Sequence, residues 1–166
     1  MSDVAGLLER LRARFPDAYE YRGEANVVVD REELLDALRH LRDEPSLSFR
    51  FLSDVSATDW PDLDPRFWVV YHLLSMEHRW RVRVRVGLPA DDPRVPSAVA
   101  LFPTADWLER EVFDFFGVVF EGHPDLRRIE LPEDWEGYPL RKDAPLGGVN
   151  TWYKGAFVPP PDQRGL

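Results

Sequence analysis

The sequence contains no cysteine among its 166 residues. Cysteine thiolates hold most iron–sulfur clusters and much structural zinc, so this chain cannot ligate a cluster through sulfur. A disulfide and a thiol nucleophile are excluded for the same reason. Cysteine usage therefore gives no information about the redox compartment.

Long apolar runs are missing as well. The longest stretches, such as 67–71 and 115–120, fall far short of the roughly 20 apolar residues that a membrane helix needs. The first residues lack a basic segment followed by an apolar run, so we expect no secretory signal. If the protein works at a membrane, we expect no direct membrane insertion, and a partner must hold it there.

Motifs for nucleotide binding and hydrolysis are not found. The sequence has no G-x-G-x-x-G, G-x-S-x-G or H-E-x-x-H pattern, and no acid–base pair can be named. His72 and His78 flank a predicted hairpin turn and could approach a metal ion together. We favour the simpler interpretation, a half-buried strand residue and a turn residue, and predict no catalytic, cofactor-binding or metal-binding residue in this chain.

The charge balance is acidic, with 30 Asp and Glu against 21 Lys and Arg and a net charge of −9. Such a surface argues against binding nucleic acid or anionic lipid. Apolar residues make up 44% of the chain, including six Trp and ten Phe. This composition favours one compact domain with a packed core over wholesale disorder.

Hydrophobic periodicity predicts helices over 4–15, 30–43 and 104–116, and strands over 18–22, 25–29, 49–55, 66–75 and 79–86. We expect Asp30 and Glu33 to form a capping-box-like start of the second helix, Thr104 to cap the third, and Gly117 to end it. The region 87–96 is predicted to be a loop.

We therefore predict an α+β fold, a two-layer domain in which helices pack on a mainly antiparallel sheet. This domain is expected to span residues 1–120. Gly, Pro and charges dominate thereafter, which predicts an extended, irregular, partner-binding segment over residues 121–166. The alternative for residues 150–166 is a partly disordered tail.

Two strands carry more specific expectations. Alternation predicts that Phe49, Phe51 and Val55 share one face of the first long strand. In the third long strand, Trp80 and three valines are predicted on one face. The other face carries four arginines: Arg79, Arg81, Arg83 and Arg85. We favour a solvated strand face paired with neighbouring acids, and the alternative is a surface for an acidic patch on a partner protein.

The segment 107–143 is the most unusual part of the chain. It begins with an acidic helix that holds one arginine, Arg110, spaced to pair with Asp106 and Asp114. The phenylalanines near the helix end exceed what one amphipathic stripe requires, which predicts burial on two sides. Arg, Tyr, Trp and Pro in irregular backbone follow, and such residues are typical of interface anchors.

This segment closely resembles the family of the 30 kDa subunit, the C-type subunit, of the proton-pumping NADH:quinone oxidoreductase, respiratory complex I. The matching motifs are Glu109-Arg-Glu-x-x-Asp-Phe-Phe-Gly117, Gly122-His-Pro-Asp-Leu-Arg-Arg-Ile129 and Trp135-Glu-Gly-Tyr-Pro-Leu-Arg-Lys-Asp143. The resemblance is dense over this segment and weaker over the preceding domain. Glu130 and Ala144 depart from the pattern, where an aliphatic and an aromatic residue are usual.

The resemblance implies a non-catalytic structural subunit of a proton-translocating enzyme (EC 7.1.1.-). Such subunits lie in the hydrophilic arm, peripheral to the cell membrane on its cytoplasmic side. They bind the D-type and B-type subunits of the complex and help to position the quinone site and the cluster-bearing neighbours. They hold no cofactor, and FMN, iron–sulfur clusters and quinone are expected in the partner subunits.

The residues that match the motifs are expected to order the junction between helix and tail and to form the partner interface. They are Glu109, Arg110, Glu111, Asp114, Gly117, Gly122, His123, Pro124, Arg127, Arg128, Pro139, Leu140, Arg141, Lys142 and Asp143. For Arg110 and Glu111 a purely internal role is equally open, whereas Arg141 and Lys142 are assigned to the interface.

Two alternatives to this function remain. One is the equivalent subunit of a complex I-like membrane-bound hydrogenase or other dehydrogenase. The other, from a different class, is a stand-alone hydrolase that uses His123 and nearby carboxylates. The sequence does not identify the electron donor, the quinone or the coupling ion.

Overall fold

A computed structural model of the chain describes residues 4–144 and the backbone of four further residues, 152–153 and 156–157. The α-helices of this part are α1 (Val4–Arg12), α2 (Leu34–Asp43) and α3 (Ala105–Phe116). The strands are β1 (Tyr19–Tyr21), β2 (Glu24–Val29), β3 (Phe51–Asp59), β4 (Phe67–Ser75), β5 (Trp80–Leu88), β6 (Arg94–Pro96), β7 (Val119–Glu121), β8 (Trp152–Tyr153) and β9 (Ala156–Phe157).

The main sheet has five strands in the order β1-β2-β5-β4-β3. Its neighbours run antiparallel except for β2 and β5, which are parallel. The chain between β2 and β3 includes α2, and a short parallel pair, β6 with β7, lies apart from the main sheet. The predicted α+β class with a mainly antiparallel sheet is confirmed.

The core lies between the helices and one face of this sheet. Leu7 and Leu11 from α1 and Leu38 from α2 are buried against strand residues such as Val84 and Tyr71. Burying each such side chain contributes about 1.5–3 kcal/mol, so the apolar stripes of the amphipathic helices fix which face they turn to the sheet. The opposite face carries the polar side of β5.

The predicted hairpin of β4 and β5 is confirmed. The two strands pair from Phe67 with Leu88 to Ser75 with Trp80, and a short turn joins them. The valines of β5 are buried and the alternating arginines are not, as the period of two requires. His72 is half-buried in β4 and His78 lies in the turn, as we predicted.

The predicted face of β3 was wrong at Phe51 and Leu52, although Phe49 and Val55 are both buried. Phe51 is 49% exposed, whereas Leu52 and Val55 are both buried in the core. The pairing with β4 shifts between Leu52 and Asp54, which marks a β-bulge. Because a bulge adds one residue to the strand, it reverses the alternation of side chains, and a strict period of two cannot anticipate it.

The ends of α2 and α3 lie close to their predicted positions, but the predicted side-chain capping hydrogen bonds are not formed. A 3-10 turn (Arg31–Glu33) precedes α2, and the Asp30 side chain makes no cap hydrogen bond, so the predicted capping box is not formed. Thr104 is the N-cap residue of α3 but also makes no side-chain cap bond. Gly117 ends α3 with a left-handed φ of +70°, as predicted.

The chain after α3 is largely irregular, as expected. The predicted loop 87–96 was partly wrong, because its start continues β5 and its end forms β6, which pairs with β7. Residues 122–144 then return along α3. The division at residue 120 stays a prediction, and the alternative for residues 150–166 falls outside the described residues apart from the backbone of β8 and β9.

Candidate partner interface

The carboxylate of Asp114, near the end of α3, organises the irregular segment that follows. Its Oδ2 accepts three consecutive backbone N–H groups, from Ile129 at 3.0 Å, Glu130 at 2.8 Å and Leu131 at 2.9 Å. Its Oδ1 accepts a hydrogen bond from Arg128 Nη1 at 2.7 Å. The Asp114 side chain is fully buried, so this cluster of donors replaces the water that burial removes.

The electrostatics of Asp114 follow from these contacts. Burial by itself raises the pKa of this carboxyl, but the hydrogen bonds from Leu131, Arg128, Glu130 and Ile129 outweigh it and hold the pKa below its ordinary value. Arg128 also donates to the carbonyl of Gly137 at 2.9 Å, so one ion pair joins the helix to two parts of the segment.

Arg110 and His123 fix the first turn of this segment. Arg110 is buried, donates from Nε to the carbonyl of Arg127 at 3.2 Å and lies over the Trp107 ring. The expected pairing of Arg110 with Asp106 and Asp114 was wrong; the nearest carboxylate is that of Asp125, at 4.0 Å. Asp114 pairs with Arg128 instead, because the returning chain brings a better-placed guanidinium.

His123 is held by backbone on both ring nitrogens. Its Nδ1 accepts the N–H of Asp125 at 3.0 Å, which leaves Nε2 to donate to the carbonyl of Asp106 at 3.0 Å. The side chain is fully buried. Such a ring positions a turn, and because its single lone pair on Nδ1 already accepts the N–H of Asp125, it would have to give up that bond to serve as the general base of a hydrolase.

Gly117 lets the later part of the segment approach the end of α3. A side-chain carbon at this position would lie 2.5 Å from the ring of Tyr138 and 2.6 Å from Arg141 Nη2. Arg141 donates from Nε to the carbonyl of Phe116 at 2.6 Å and its guanidinium stacks near the rings of Tyr138 and Phe67. The side chain of Arg141 therefore has an internal role here.

Asp59, at the end of β3, holds the last part of the segment. It is buried and forms two hydrogen bonds with Arg66, at 2.7 and 2.8 Å, and accepts the backbone N–H of Lys142 at 2.8 Å. Arg66 also pairs with Asp143 at 2.8 Å. The hydrogen bond from Arg66 lowers the pKa of Asp59 against the opposing effect of burial.

Glu109 binds residues that precede α3 rather than the segment that follows it. It is fully buried, and its two oxygens accept hydrogen bonds from the hydroxyl of Ser97 and the N–H of Ala98, both at 2.7 Å. Burial raises the pKa of Glu109 to about 7, although both hydrogen bonds oppose that rise. Glu109 thus ties α3 to the turn after β6.

The structure divides nine of the fifteen predicted residues into two groups. Internal contacts account for the side chains of Glu109, Arg110, Asp114, His123, Arg128 and Arg141. Glu111, Leu140 and Lys142 are exposed and remain available to a partner. Arg110 and Glu111, for which two roles were open, thus differ, and the interface role of the whole set stays a prediction.

Sequence reasoning missed Asp59, Arg66 and Ser97. Asp59 contacts Lys142 although 83 positions separate them. A buried acid at the end of an apolar strand, followed by an arginine that opens the next strand, was a weak signal for the pair with Arg66. Nothing in the linear sequence indicated which part of the tail would complete it.

Apolar side chains are exposed next to this anchored segment. Trp60 is 52% exposed, Leu63 is 55% exposed and Leu140 is 49% exposed. Trp60 follows Asp59, whose carboxylate binds the backbone of Lys142, so these residues lie at one end of the molecule. Large exposed apolar residues in one region are typical of surfaces that another protein covers.

Metal ligation and membrane spanning find no support in the described part of the chain. No group of three or more His, Cys, Asp or Glu side chains within it could hold a metal ion. Over the same residues, none of the helices has both the length and the apolar character needed to cross a bilayer.

The sequence matches a protein-family model over residues 27–150, and that family is described as the respiratory-chain NADH dehydrogenase, 30 Kd subunit. Curated relatives that are named as the C-type subunit of NADH-quinone oxidoreductase include one from Saccharopolyspora erythraea, 54% identical over 144 residues. That alignment covers 86% of this chain and 58% of the relative. A relative from Nocardioides sp. is 51% identical over 90% of this chain and 60% of its own length.

The chain thus spans less than two thirds of the length of these two relatives. A relative of the same name from Roseiflexus sp. is 51% identical, with 87% of this chain and 86% of the relative covered.

Two solved structures are similar in fold. A trypsin-resistant fragment of Nqo5 is 39% identical, with a TM-score of 0.62, and the match covers 74% of this chain and 98% of that one. A chain of the membrane-bound sulfane sulfur reductase, an archaeal respiratory membrane complex, is 28% identical, with a TM-score of 0.71. That match covers 86% of this chain and 85% of the other.

Proposed function

The chain belongs to the family of the 30 kDa subunit of the respiratory-chain NADH dehydrogenase, and on this premise we propose that it is a structural subunit of an NADH–quinone oxidoreductase. In this proposal its role is to bind neighbouring proteins, the D-type and B-type subunits, and to help position the quinone site and the cluster-bearing proteins. The chemistry of electron transfer and proton translocation then belongs to the assembly.

The observation that carries the proposal is the anchoring of residues 122–143. Asp114 and Asp59 hold this segment at two points through buried charges, and Trp60, Leu63 and Leu140 are exposed at the same end. A segment fixed in this way presents its apolar groups with little further loss of conformational entropy on binding, which favours a stable interface. The geometry suits a protein that is held in an assembly.

The composition supports placing the cofactors elsewhere. Without cysteine the chain offers no thiolate for an iron–sulfur cluster, and it has no phosphate-binding glycine motif for FMN or NADH. The proposal therefore assigns FMN, clusters and quinone to partner subunits and no catalytic residue to this chain. It also assigns a peripheral position at the cytoplasmic side of the cell membrane.

A related function has one observation in its favour. The similarity to a chain of the archaeal sulfane sulfur reductase complex shows that a fold of this kind also occurs in a respiratory membrane complex with a different activity. The proteins that co-purify with this chain separate the two cases. An NADH-binding flavoprotein and quinone reduction support the oxidoreductase, and their absence from an intact complex supports the related assembly.

The interface is tested by isolating the complex through an affinity tag on this chain and identifying its subunits by mass spectrometry. Leu140→Asp places a charge among the exposed apolar groups, and we expect recovery of the co-purifying subunits to fall more than about ten-fold. Met76→Asp is the matched control. Met76 is 73% exposed in the β4–β5 turn, at the opposite end of these strands from Asp59, and recovery should not change.

Equal recovery with Leu140→Asp and the unaltered chain would refute this interface. Arg141→Ala is a poor substitute, because it removes the contacts of Arg141 with Phe116, Tyr138 and Phe67 and would disturb the fold itself. Quinone reductase activity by the isolated chain would refute the non-catalytic role.

A further inference from the structure

The face of the main sheet that points away from the helices contains a polar groove. Its volume is about 490 Å³, and Tyr19, Ser56, Thr58, Trp60, His72, Arg83 and Arg85 contribute to its lining. These residues come from β1, β3, β4 and β5 and from the residue after β3, so the groove crosses most of the sheet. Unlike the core face, it presents hydroxyl, imidazole and guanidinium groups.

Positive charge in this groove is incompletely neutralised. No carboxylate is among the described residues that line it. Arg85 donates to the hydroxyl of Tyr19 at 3.1 Å and lies 4.6 Å over the Trp68 ring, which are contacts with neutral groups. The favoured sequence interpretation was a solvated strand face paired with neighbouring acids, and Arg83 follows it by pairing with Glu24, whereas Arg85 does not.

Arg83 is only partly satisfied. One of its terminal nitrogens forms an ion pair with Glu24 at 2.6 Å, from the side of the groove. Its Nε is buried and has no hydrogen-bond partner in the part of the chain that the structure describes. A guanidinium has five N–H donors, so Arg83 retains donors for a further acceptor.

The neighbouring histidine adds little positive charge to the groove. Burial lowers the pKa of His72 and the charge of Arg83 lowers it further, against the weaker opposing effects of Asp54 and Glu24. His72 is therefore neutral at pH 7, and the charge of the groove comes from its arginines. On a chain with a net charge of −9, such a groove is a local exception.

The spacing of these arginines matches an extended peptide. Arg83 and Arg85 are two residues apart on β5 and share a face, which places their backbone positions about 7 Å apart. Alternate side chains of an extended peptide have the same spacing. Trp60 at one end and Tyr21 near the other are each 52% exposed and can cover the apolar parts of a bound segment.

We propose that this groove binds an extended acidic segment of a partner protein, whose carboxylates, two residues apart, pair with Arg83 and Arg85. Guanidinium–carboxylate pairs give both strength and geometric selectivity. That the partner is a neighbouring subunit of the same complex rests on the proposed function. The preference of the groove for an acidic extended segment does not.

The direct test uses the isolated full chain and a fluorescent peptide in which Glu alternates with Thr. A peptide of equal length in which Gln replaces Glu is the reference. We expect fluorescence anisotropy to show at least about ten-fold tighter binding of the Glu peptide, and this advantage should shrink as salt is raised. Equal affinity for the two peptides would overturn the proposal.

A pair of double variants locates the binding. Arg83→Gln with Arg85→Gln should reduce the affinity for the Glu peptide at least about ten-fold. Arg39→Gln with Arg79→Gln makes the same change in net charge, on α2 and in the β4–β5 turn, and should leave the affinity nearly unchanged. An equal loss in both double variants would mean that net charge alone attracts the peptide, and the groove would be rejected.

Arg85→Gln alone keeps the ion pair between Arg83 and Glu24 and serves if the double variant does not fold. We expect a smaller but measurable loss of affinity, and no loss in a folded Arg85→Gln chain would contradict the proposal. Vesicles that contain phosphatidylserine provide a competitor from another class. If they displace the Glu peptide from the unaltered chain as effectively as excess unlabelled peptide does, the groove is a general anion surface and the proposal fails.

The outcomes for the groove and for the proposed function are separable. If the Glu peptide does not bind but the chain still co-purifies with its complex, the groove proposal is refuted and the proposed function stands. If the Glu peptide binds but the chain enters no respiratory complex, the groove proposal stands and the proposed function is refuted.

Discussion

Asp114 and Glu109 are five residues apart on α3, and both carboxyl groups are fully buried, yet their pKa values move in opposite directions. Asp114 receives three backbone N–H groups and a guanidinium, whereas Glu109 receives one hydroxyl and one backbone N–H. Burial alone therefore does not decide whether a carboxylate stays charged. The number and charge of its donors decide it.

Asp114 and Glu109 therefore hold α3 to its surroundings in different ways. Asp114 remains an anion over the whole physiological range and permanently ties residues 128–131 to α3. Glu109, with a pKa of about 7, lies close to the pH at which it gains a proton. The last turn of α3 is thus held by a fixed charge, and its middle by a group whose charge depends on pH.

The largest effect is expected from Asp114→Asn. The change removes the charge that faces Arg128 and places amide hydrogens among three backbone donors, so the free energy of unfolding should fall by about 3–5 kcal/mol. Urea denaturation of the isolated chain measures this loss. Limited proteolysis should also find new cleavage within residues 122–143. Glu111→Gln, an exposed change on the same helix, should stay within about 0.5 kcal/mol.

Glu109→Gln is expected to raise the free energy of unfolding, the opposite of the effect of Asp114→Asn. Because the folded-state pKa of Glu109 is raised from its ordinary 4.5 to about 7, the unaltered chain loses stability as pH rises between these values. A glutamine can donate to the hydroxyl of Ser97 and accept from the N–H of Ala98, so it mimics the protonated acid. At pH 8 it should therefore stabilise the chain by up to about 3 kcal/mol.

The same comparison at pH 4.5 is the control for Glu109→Gln. Most of the glutamic acid is protonated in the folded state there, so the two chains should unfold with nearly equal free energies. A difference between them that does not change from pH 4.5 to pH 8 would contradict the raised pKa. Thermal or urea unfolding followed by circular dichroism is sufficient for both points.

A smaller change in the free energy of unfolding tests whether the segment packs against the end of α3 near Asp114, separately from its hydrogen bonds. Gly117 and Gly122 both have a left-handed φ, at +70° and +81°, so alanine strains the backbone at either position. An added carbon at Gly117 would meet Tyr138 and Arg141, whereas at Gly122 it meets nothing within 4 Å. Gly117→Ala should therefore cost about 1–3 kcal/mol more than Gly122→Ala. Equal losses would show that the segment does not pack on Gly117.

The fold was largely predictable where apolar residues repeat with one constant spacing along a whole helix or strand. The valines of β5, the leucines of α1 and α2 and the glycine that ends α3 all lie as the sequence indicated. Prediction failed where a local irregularity intervened. The bulge in β3 reversed the faces of Phe51 and Leu52, and Asp30 precedes a 3-10 turn without capping it.

The candidate site was predictable as a segment but not as a set of contacts. The sequence marked residues 107–143 as unusual, and the contacts of Arg110 with Arg127, Arg128 with Asp114 and Arg141 with Phe116 all lie within this segment. The partners could not be assigned, because Arg110 and Asp114 stand at a helical spacing that suggests a mutual pair. The returning chain supplies Arg128, which Asp114 binds instead.

The sequence by itself determined the helices, the two faces of β5, the absence of thiol ligands and the segment that carries the family motif. These follow from composition and from the periodicity of neighbouring residues, which are local properties of the chain. Only the tertiary structure decided which carboxylates stay charged, that Arg141 faces inward while Lys142 is exposed, and that the arginines of β5 line a groove. Charge states and surfaces depend on burial and on donors brought from distant positions, and no local pattern encodes these.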